Sequence, residues 1–402
     1  MMAVRTISYW ISLLLIFSIP WENVVEHPIL GSAPRLIGMA LTVFWLAKVV
    51  TTRNIRRPCL FHVAAYAFVL WNMASALWSA DSEITSIHLL TWIQIFLLLI
   101  ILWDLYTTRP AVINALQMYV LGLYVVIAST VINYTSGEAF YYQRFSATAT
   151  NPDDLGAVLA LGVPVAWYLV QEKSRGMLSF FLTFLNYAYI PAAFVGIALS
   201  GTRTALVVAA LGMAYGLSSL SRLRPAVRVI IFLLMVSAGF ILVPRIPEAS
   251  LDRLATTRAE LIAGDLNGRI QLWRQGLAAF ADQPILGVGG EMYRDVNIEG
   301  KVAHNSFLSV LVELGIIGFA LFGAAIAIAV LQIRRLPQSD SRFWLSVIAA
   351  WAIIASTLSW EHKKPTWLFL SLLVAAAALF PRRGGSVALL DRMNLKRGGS
   401  TS

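Results

Sequence analysis

Residues 302–333, VAHNSFLSVLVELGIIGFALFGAAIAIAVLQI, decide the fold. After Ser306 the run carries a single charge, Glu313. About 20 helical residues cross the roughly 30 Å hydrocarbon core of a bilayer, so 305–333 reads as a membrane span. His304 and Asn305 stand at its mouth, and a polar segment, 244–304, separates it from the apolar run before it. Runs of the same kind recur along the chain, at roughly 7–20, 34–50, 60–78, 85–103, 110–133, 153–171, 177–199, 203–220, 226–243, 342–359 and 365–380. Composition agrees: 58% of the 402 residues are hydrophobic and 13% are charged, where a soluble domain carries about 25% charged residues. The expected fold is an all-α polytopic membrane protein of about twelve transmembrane helices with one large external loop.

Pro164 and Pro191 fall inside expected spans, which membrane helices tolerate when neighbours satisfy the freed backbone groups. The first run resembles a signal peptide, but WENVVEHP (21–28) offers no small-residue cleavage site, so a retained helix is expected. Cys59 is the only cysteine, which excludes an intramolecular disulfide.

Lysine and arginine placement gives orientation, because cytoplasmic loops collect positive charge. With the N-terminus inside, the cytoplasmic side holds Arg5, Lys48, Arg53, Arg56, Arg57, Arg109, Lys173, Arg175, Arg222, Arg224, Arg228, Arg334, Arg335 and Arg342, and the basic tail follows. The short external loops hold Arg35, Arg144, Arg203, Lys363 and Lys364. Both termini are therefore expected in the cytoplasm and 244–304 outside. The net charge of +10 is a topology signal rather than a nucleic-acid footprint. The expected organisation is spans one to nine in 1–243, the external subdomain in 244–304, spans ten to twelve in 305–380, and a cytoplasmic tail in 381–402.

Within the loop, 251–262 (LDRLATTRAELI) reads as a modest amphipathic helix. A stronger one follows, capped by Asp265 or Asn267, with Ile270, Trp273, Leu277 and Phe280 at helical spacing and Asp282-Gln283-Pro284 as its stop.

Chemistry can gather at the external ends. Arg269 sits in the first turn of the stronger helix, where free N–H groups and the helix dipole attract anions, and its guanidinium is a forked donor suited to phosphate. The plainer reading pairs it with Asp265. Arg203 lies in LSGTRTA (199–205) between the seventh and eighth spans, flanked by Ser200, Thr202 and Thr204. It is either a snorkelling interfacial arginine or an anion ligand. His304 can accept a proton near neutrality, or it serves as a polar cap, a part Asn305 or Ser306 fills equally well. Glu313, an intramembrane carboxylate that needs a partner, is expected to be structural. Arg144 and Asp153–Asp154 in YYQRFSATATNPDDLG (141–156), and His362, Lys363 and Lys364 on the last external loop, line a cleft or are solvated loop charges. GVGGEMY (287–293) follows no strand and precedes no Walker lysine, so it is not read as a nucleotide loop. The chain has no external Asp-x-Asp, no His-Glu-x-x-His and no Cys/His cluster, so neither a metal nor any other cofactor is expected.

Ser-Gly-Thr-Arg at 200–203, Gly-Arg-x-x-x-Trp at 268–273, Pro-Ile-Leu-Gly-x-Gly at 284–289, and His-Asn-Ser-Phe-Leu running on to Glu-Leu-Gly-Ile-Ile-Gly at 304–318, together with TNPDDLGAVLALGVP from 150, resemble the O-antigen ligase and polymerase superfamily over roughly 145–330. The resemblance implies a bacterial inner-membrane, GT-C-like glycosyltransferase whose active site faces the periplasm. Its donor would be a glycan on undecaprenyl diphosphate. The ligase branch transfers that glycan to a sugar hydroxyl of lipid A–core, the polymerase branch to another carrier-linked repeat, and a third branch to protein Ser or Thr. The compact chain fits the ligase branch best. In such a reaction Arg203 and Arg269 would stabilise the diphosphate leaving group. His304 would be the base, oriented by Asn305, and Arg144, Thr202, Arg274 and Tyr293 would contact substrate. Direct attack would invert the anomeric centre, since no paired carboxylates argue for a covalent intermediate. The rival class is a transporter or flippase of the same lipid-linked glycan, which should carry ionisable groups deep in its spans.

Overall fold

Helices form at eleven of the twelve expected apolar runs in the computed structural model, which describes residues 2–27, 31–140, 143–172, 176–219, 229, 233 and 268–380. The remaining run, 226–243, lies outside the described residues but for 229 and 233, and so do the helix expected at 251–262 and the tail. In chain order the helices are α1 (Met2–Ser18), α2 (Ala33–Thr52), α3 (Leu60–Ala74), α4 (Ser82–Leu105), α5 (Arg109–Ser136), α6 (Pro152–Gln171), α7 (Met177–Ser200), α8 (Arg203–Ser219), α9 (Arg269–Asp282), α10 (Ser306–Gln332), α11 (Gln338–Ala355) and α12 (Lys364–Ala377). One antiparallel pair of two-residue strands, Glu26–His27 with Gly31–Ser32, is the only sheet among the described residues. Eight of the described helices are long and apolar enough to cross a membrane, so the protein is an all-helical, multi-pass membrane protein.

The bundle is built around α6, whose apolar window is 83% buried, against 22% for the peripheral α2. Glycine makes α6 central. A Cβ on Gly156 would meet Thr202 at 2.8 Å, and one on Gly162 would meet the Tyr189 hydroxyl at 2.3 Å, so α8 and α7 approach closer than any side chain allows. Pro164 and Pro191 remain inside continuous helices, as expected.

The span that opened the sequence reading is not a simple helix. α10 breaks at Gly315 (φ 64°, ψ −169°). The segment 284–289 fills the break. Val288 N–H donates to Val312 O (3.1 Å), Gly289 N–H to Glu313 O (2.9 Å), and Ile316 N–H to Pro284 O (2.9 Å). A Cβ on Gly315 would lie 2.2 Å from Ile285 O, and one on Gly287 2.4 Å from Glu313 O. Glycine is required on both sides of this contact, at positive φ in each case. The same loop is fastened to the α3–α4 corner, where Trp78 Nε1 donates to Leu286 O (3.2 Å) and Gly290 N–H to Ser75 Oγ (3.0 Å). The Leu-Gly-x-Gly and Glu-Leu-Gly blocks are therefore two halves of one backbone lock.

At the opposite end of the bundle, charges are closed into tight sets. Lys48 Nζ meets Asp104 Oδ2 at 2.7 Å, and Asp104 also accepts from Trp45 Nε1 (2.9 Å) and Arg56 N–H (3.0 Å). Arg56 lies over the Trp103 ring at 3.4 Å. Arg109 bridges Asp340 (2.5 Å) and Glu172 (2.7 Å), with the Tyr168 hydroxyl donating to Asp340 (3.0 Å).

Candidate active site

The α7–α8 corner is organised by Ser-Gly-Thr-Arg. Gly201 ends α7 in the left-handed conformation (φ 59°), and α8 starts at Arg203, which places that arginine in the first turn of a helix. Arg144 braces the corner and is 2% exposed. Its Nε donates to Ser200 O (2.7 Å), and its Nη2 donates to Asp153 Oδ1 (2.6 Å) and Thr202 Oγ1 (3.0 Å). Thr202 Oγ1 in turn donates to Pro152 O (2.8 Å). Arg144 is thus a buried bracket rather than a solvated loop charge, and it spends these donors on the protein.

α9 forms where the stronger loop helix is expected, but Gly268 (φ 78°) holds its N-cap position, not Asp265 or Asn267. Its inward face also differs: Leu272 and Gly276 are buried while Leu277 is 47% exposed. Tyr293 explains the shift. Its hydroxyl donates to Leu272 O (3.0 Å), and it lies so close that a Cβ on Gly276 would be 2.4 Å from it. Tyr293 therefore belongs to a small core with Val288, Met292, Ala303 and Val312, and Arg274 points to solvent. Trp273 Nε1 donates to Ala303 O (2.9 Å), which ties α9 to the residue before His304.

His304 precedes α10 in the left-handed conformation (φ 49°). The N-cap is Asn305, whose Oδ1 accepts from Phe307 N–H (3.0 Å) and Leu308 N–H (3.1 Å). Asn305 thus takes the capping part, and His304 is free of it. His304 thus lies outside the helix that carries Glu313. That carboxylate is buried and accepts Tyr293 N–H (3.2 Å), a structural role as expected.

His304 opens onto a cleft of about 240 Å³ that also presents Asp153, Asp154, Glu291, Arg294, His362 and Lys363, with His88 at its rim. Each wall is fixed by neighbours. Asp154 accepts from Trp360 Nε1 (2.8 Å) and lies 3.4 Å from Lys363 Nζ. His362 Nδ1 lies 3.6 Å from Glu361 Oε1 and 3.8 Å from Glu291 Oε1, and Ser309 Oγ donates to Glu361 Oε1 (2.9 Å). His88 Nε2 is 4.0 Å from Glu291 Oε2. Burial lowers the pKa of His304, and the nearby charges of Arg269 and Lys301 push the same way against Asp153 and Asp154. His362 is the reverse case: burial lowers it, but the Glu361 and Glu291 carboxylates win and its pKa rises. The cleft therefore holds one histidine biased towards neutral and one biased towards charged.

Arg269 thus acts on His304 through its field. Thr202, next to Arg203, lies 3.3 Å from the cleft residue Asp153. Neither arginine itself lines the cleft. Glu291 and His88 were missed in the sequence reading, yet each left a trace. Glu291 is the one charge in the glycine-rich turn GVGGEMY, and His88 is an ionisable residue in an expected span, which is itself a functional signal. Among the described residues no group of three or more His, Cys, Asp or Glu side chains is arranged to hold a metal ion.

Residues 188–323 match the family model described as O-antigen ligase. The chain is also 24% identical over 321 residues to the exopolysaccharide production protein ExoQ of Rhizobium meliloti (strain 1021), across 74% of this chain and 71% of that protein.

Proposed function

We propose that this chain, whose residues 188–323 match the O-antigen ligase family model, transfers a glycan from undecaprenyl diphosphate to a sugar hydroxyl of lipid A–core, at the periplasmic face of the bacterial inner membrane and without a metal. The observation that carries this reading is His304, held off the helix in a polar cleft and biased towards its neutral form by burial and by Arg269. In the reaction the anomeric C–O bond to the diphosphate breaks. The acceptor oxygen forms the new glycosidic bond from the opposite face, with inversion, and its proton passes to His304. The departing diphosphate takes the electron pair, and Arg203 and Arg269, at the first turns of α8 and α9, meet the charge it gathers. Arg144 acts one step back, by holding the Ser200–Thr202 corner from which Arg203 projects.

The decisive experiment mixes purified protein, undecaprenyl-diphosphate-linked glycan and lipid A–core in excess chelator. Glycosylated lipid A–core with the inverted anomer supports the reading. Dependence on added magnesium or manganese counts against it. A second reading, a polymerase using the same donor, is favoured by the exopolysaccharide relative. Replacing lipid A–core with a second carrier-linked unit separates the two by product length. The flippase reading demands movement of the lipid-linked glycan across a vesicle bilayer without glycosidic bond formation. The orientation is tested in a Cys59→Ser background: Asp265→Cys should react with an impermeant thiol reagent in spheroplasts, and Arg224→Cys should not.

A further inference from the structure

A second depression lies at the same end of the bundle, apolar where the cleft is polar. It is a groove of about 450 Å³ between α1, α2 and α4, walled by Leu15 and Ile19, Gly38 and Val43, and α4 from Leu90 to Ile101. An intermediate cavity of about 210 Å³ joins it to the cleft, sharing Asp154, His362 and Lys363 with the cleft and Ile19 and Lys364 with the groove. At the mouth stand two cations. Lys364 is tied to Glu22, whereas Arg35 has no ion-pair partner among the described residues.

Resting on the glycosyl-transfer reading above, we propose that this groove seats the acyl chains of a phosphorylated glycolipid acceptor. The lipid's phosphate meets Arg35, and its sugars occupy the intermediate cavity and carry a hydroxyl to His304. Depth argues for acyl chains. From Leu90 to Ile101 the wall of α4 descends about 17 Å at 1.5 Å per residue, roughly half of a ~30 Å hydrocarbon core. That is one leaflet, the reach of an acyl chain, and an extended undecaprenyl chain is far longer. Charge argues for a phosphate, because Arg35 is a forked donor at the level where a headgroup meets the apolar wall. Spacing argues for sugars, because a polar cavity separates the lipid end from the base. Finally, the two arginines assigned to the leaving group belong to α8 and α9, so the two lipid substrates approach the cleft from different helices.

Gly38 provides the probe. A Cβ there meets only Leu15 Cδ1 at 3.9 Å, so Gly38→Ala should be silent while Gly38→Trp fills the groove. In nanodiscs holding the full chain, three lipids with a diazirine on the tail are compared: phosphatidic acid, diacylglycerol and a polyprenyl phosphate. Phosphatidic acid should label Met39, Val43 and Ile93 about tenfold more than diacylglycerol, the size of one charge-assisted hydrogen bond. Arg35→Ala should remove that preference, and Gly38→Trp should remove the labelling. Equal labelling by phosphatidic acid and diacylglycerol means bulk lipid alone and overturns the proposal. Preference for the polyprenyl phosphate assigns the groove to the donor and overturns it too. In turnover, Gly38→Trp should raise KM for the lipid-anchored acceptor, leave KM for the donor unchanged, and spare an acceptor stripped of its acyl chains. If labelling follows the expected order but the wild type transfers nothing to a glycolipid, the groove stands and the ligase reading falls.

Discussion

The two ends of this bundle use the same residue types to opposite effect. At one end Lys48, Asp104 and the Arg56 backbone, like Arg109, Asp340 and Glu172, form closed sets in which each carboxylate meets a cation within hydrogen-bond distance. At the other, His362 stands 3.6 Å from Glu361 and 3.8 Å from Glu291 beside the open cleft that His304 lines, and His304 and His362 are biased to opposite charge states. A paired charge has no reason to react. A histidine that is not locked into a close ion pair keeps its capacity to exchange a proton. The difference between the Lys48 and Arg109 clusters and the histidine cluster is thus one of how closely the charges pair, not of composition.

The hardest blow to that contrast is His304→Ala. A positioned base contributes about 10²–10⁴-fold, so single-turnover rates should fall by that factor while donor affinity holds and the residual rate climbs with pH. Lost donor affinity with an intact rate at saturating donor would make His304 a phosphate ligand instead. Arg203→Ala and Arg269→Ala should each cost about 10²–10³-fold, the loss seen for one transition-state donor, and should weaken donor binding as well. Lysine at either position should restore only part, because a point charge does not reproduce the guanidinium fork. Full rescue by lysine would show that charge alone suffices.

At the closed end, Lys48→Met should leave the rate of the folded protein unchanged but lower its stability by about 3–5 kcal/mol, the cost of stranding a buried carboxylate. Thermal melts in detergent alongside turnover separate the two effects, and a catalytic loss without a melting shift would erase the distinction between the ends. Gly315→Ala should destabilise by about 1–3 kcal/mol, because alanine is strained at φ 64° and clashes with Ile285 O. The smallest effect is on pH. His304 must be neutral to accept a proton, and its pKa is lowered from 6.5, so the acid limb of kcat/KM should lie below that value. Lys301→Ala removes one of the charges that lower it and should move the limb up, and Arg269→Ala should move it further. Activity that falls instead as pH rises through this pKa would mean that His304 works as the cation, and an acid limb unmoved in both variants would mean that it does not report His304.

Most of the helical pattern was legible in the sequence because long apolar runs leave a chain in lipid no alternative to helix. The arginines and His304 were legible because polar residues at the ends of such runs are conspicuous. What could not be read was which charges neutralise one another. Arg144 looked like a loop residue, yet three acceptors contributed from positions 153, 200 and 202 bury it. Tyr293 looked available for substrate, and a glycine seventeen residues earlier draws it into a core. The break in α10 escaped notice because Glu-Leu-Gly-Ile-Ile-Gly continues the apolar run without interruption. Only the partner strand of backbone at 284–289 shows why a span should open there.

That break also fixes an order of assembly. The carbonyls of Val312 and Glu313 are taken by amides made earlier in the chain, and the loop bearing those amides rests on Trp78 and Ser75, made earlier still. During synthesis the receiving corner therefore waits first, then the loop, and both remain unfinished until the last partner emerges with α10. The cleft is completed later still, when His362 and Lys363 follow. A chain halted before residue 316 would carry both arginines, His304 and every histidine and carboxylate of the loop at 284–304, and would still lack the backbone bond from Ile316 to Pro284 that closes the lock.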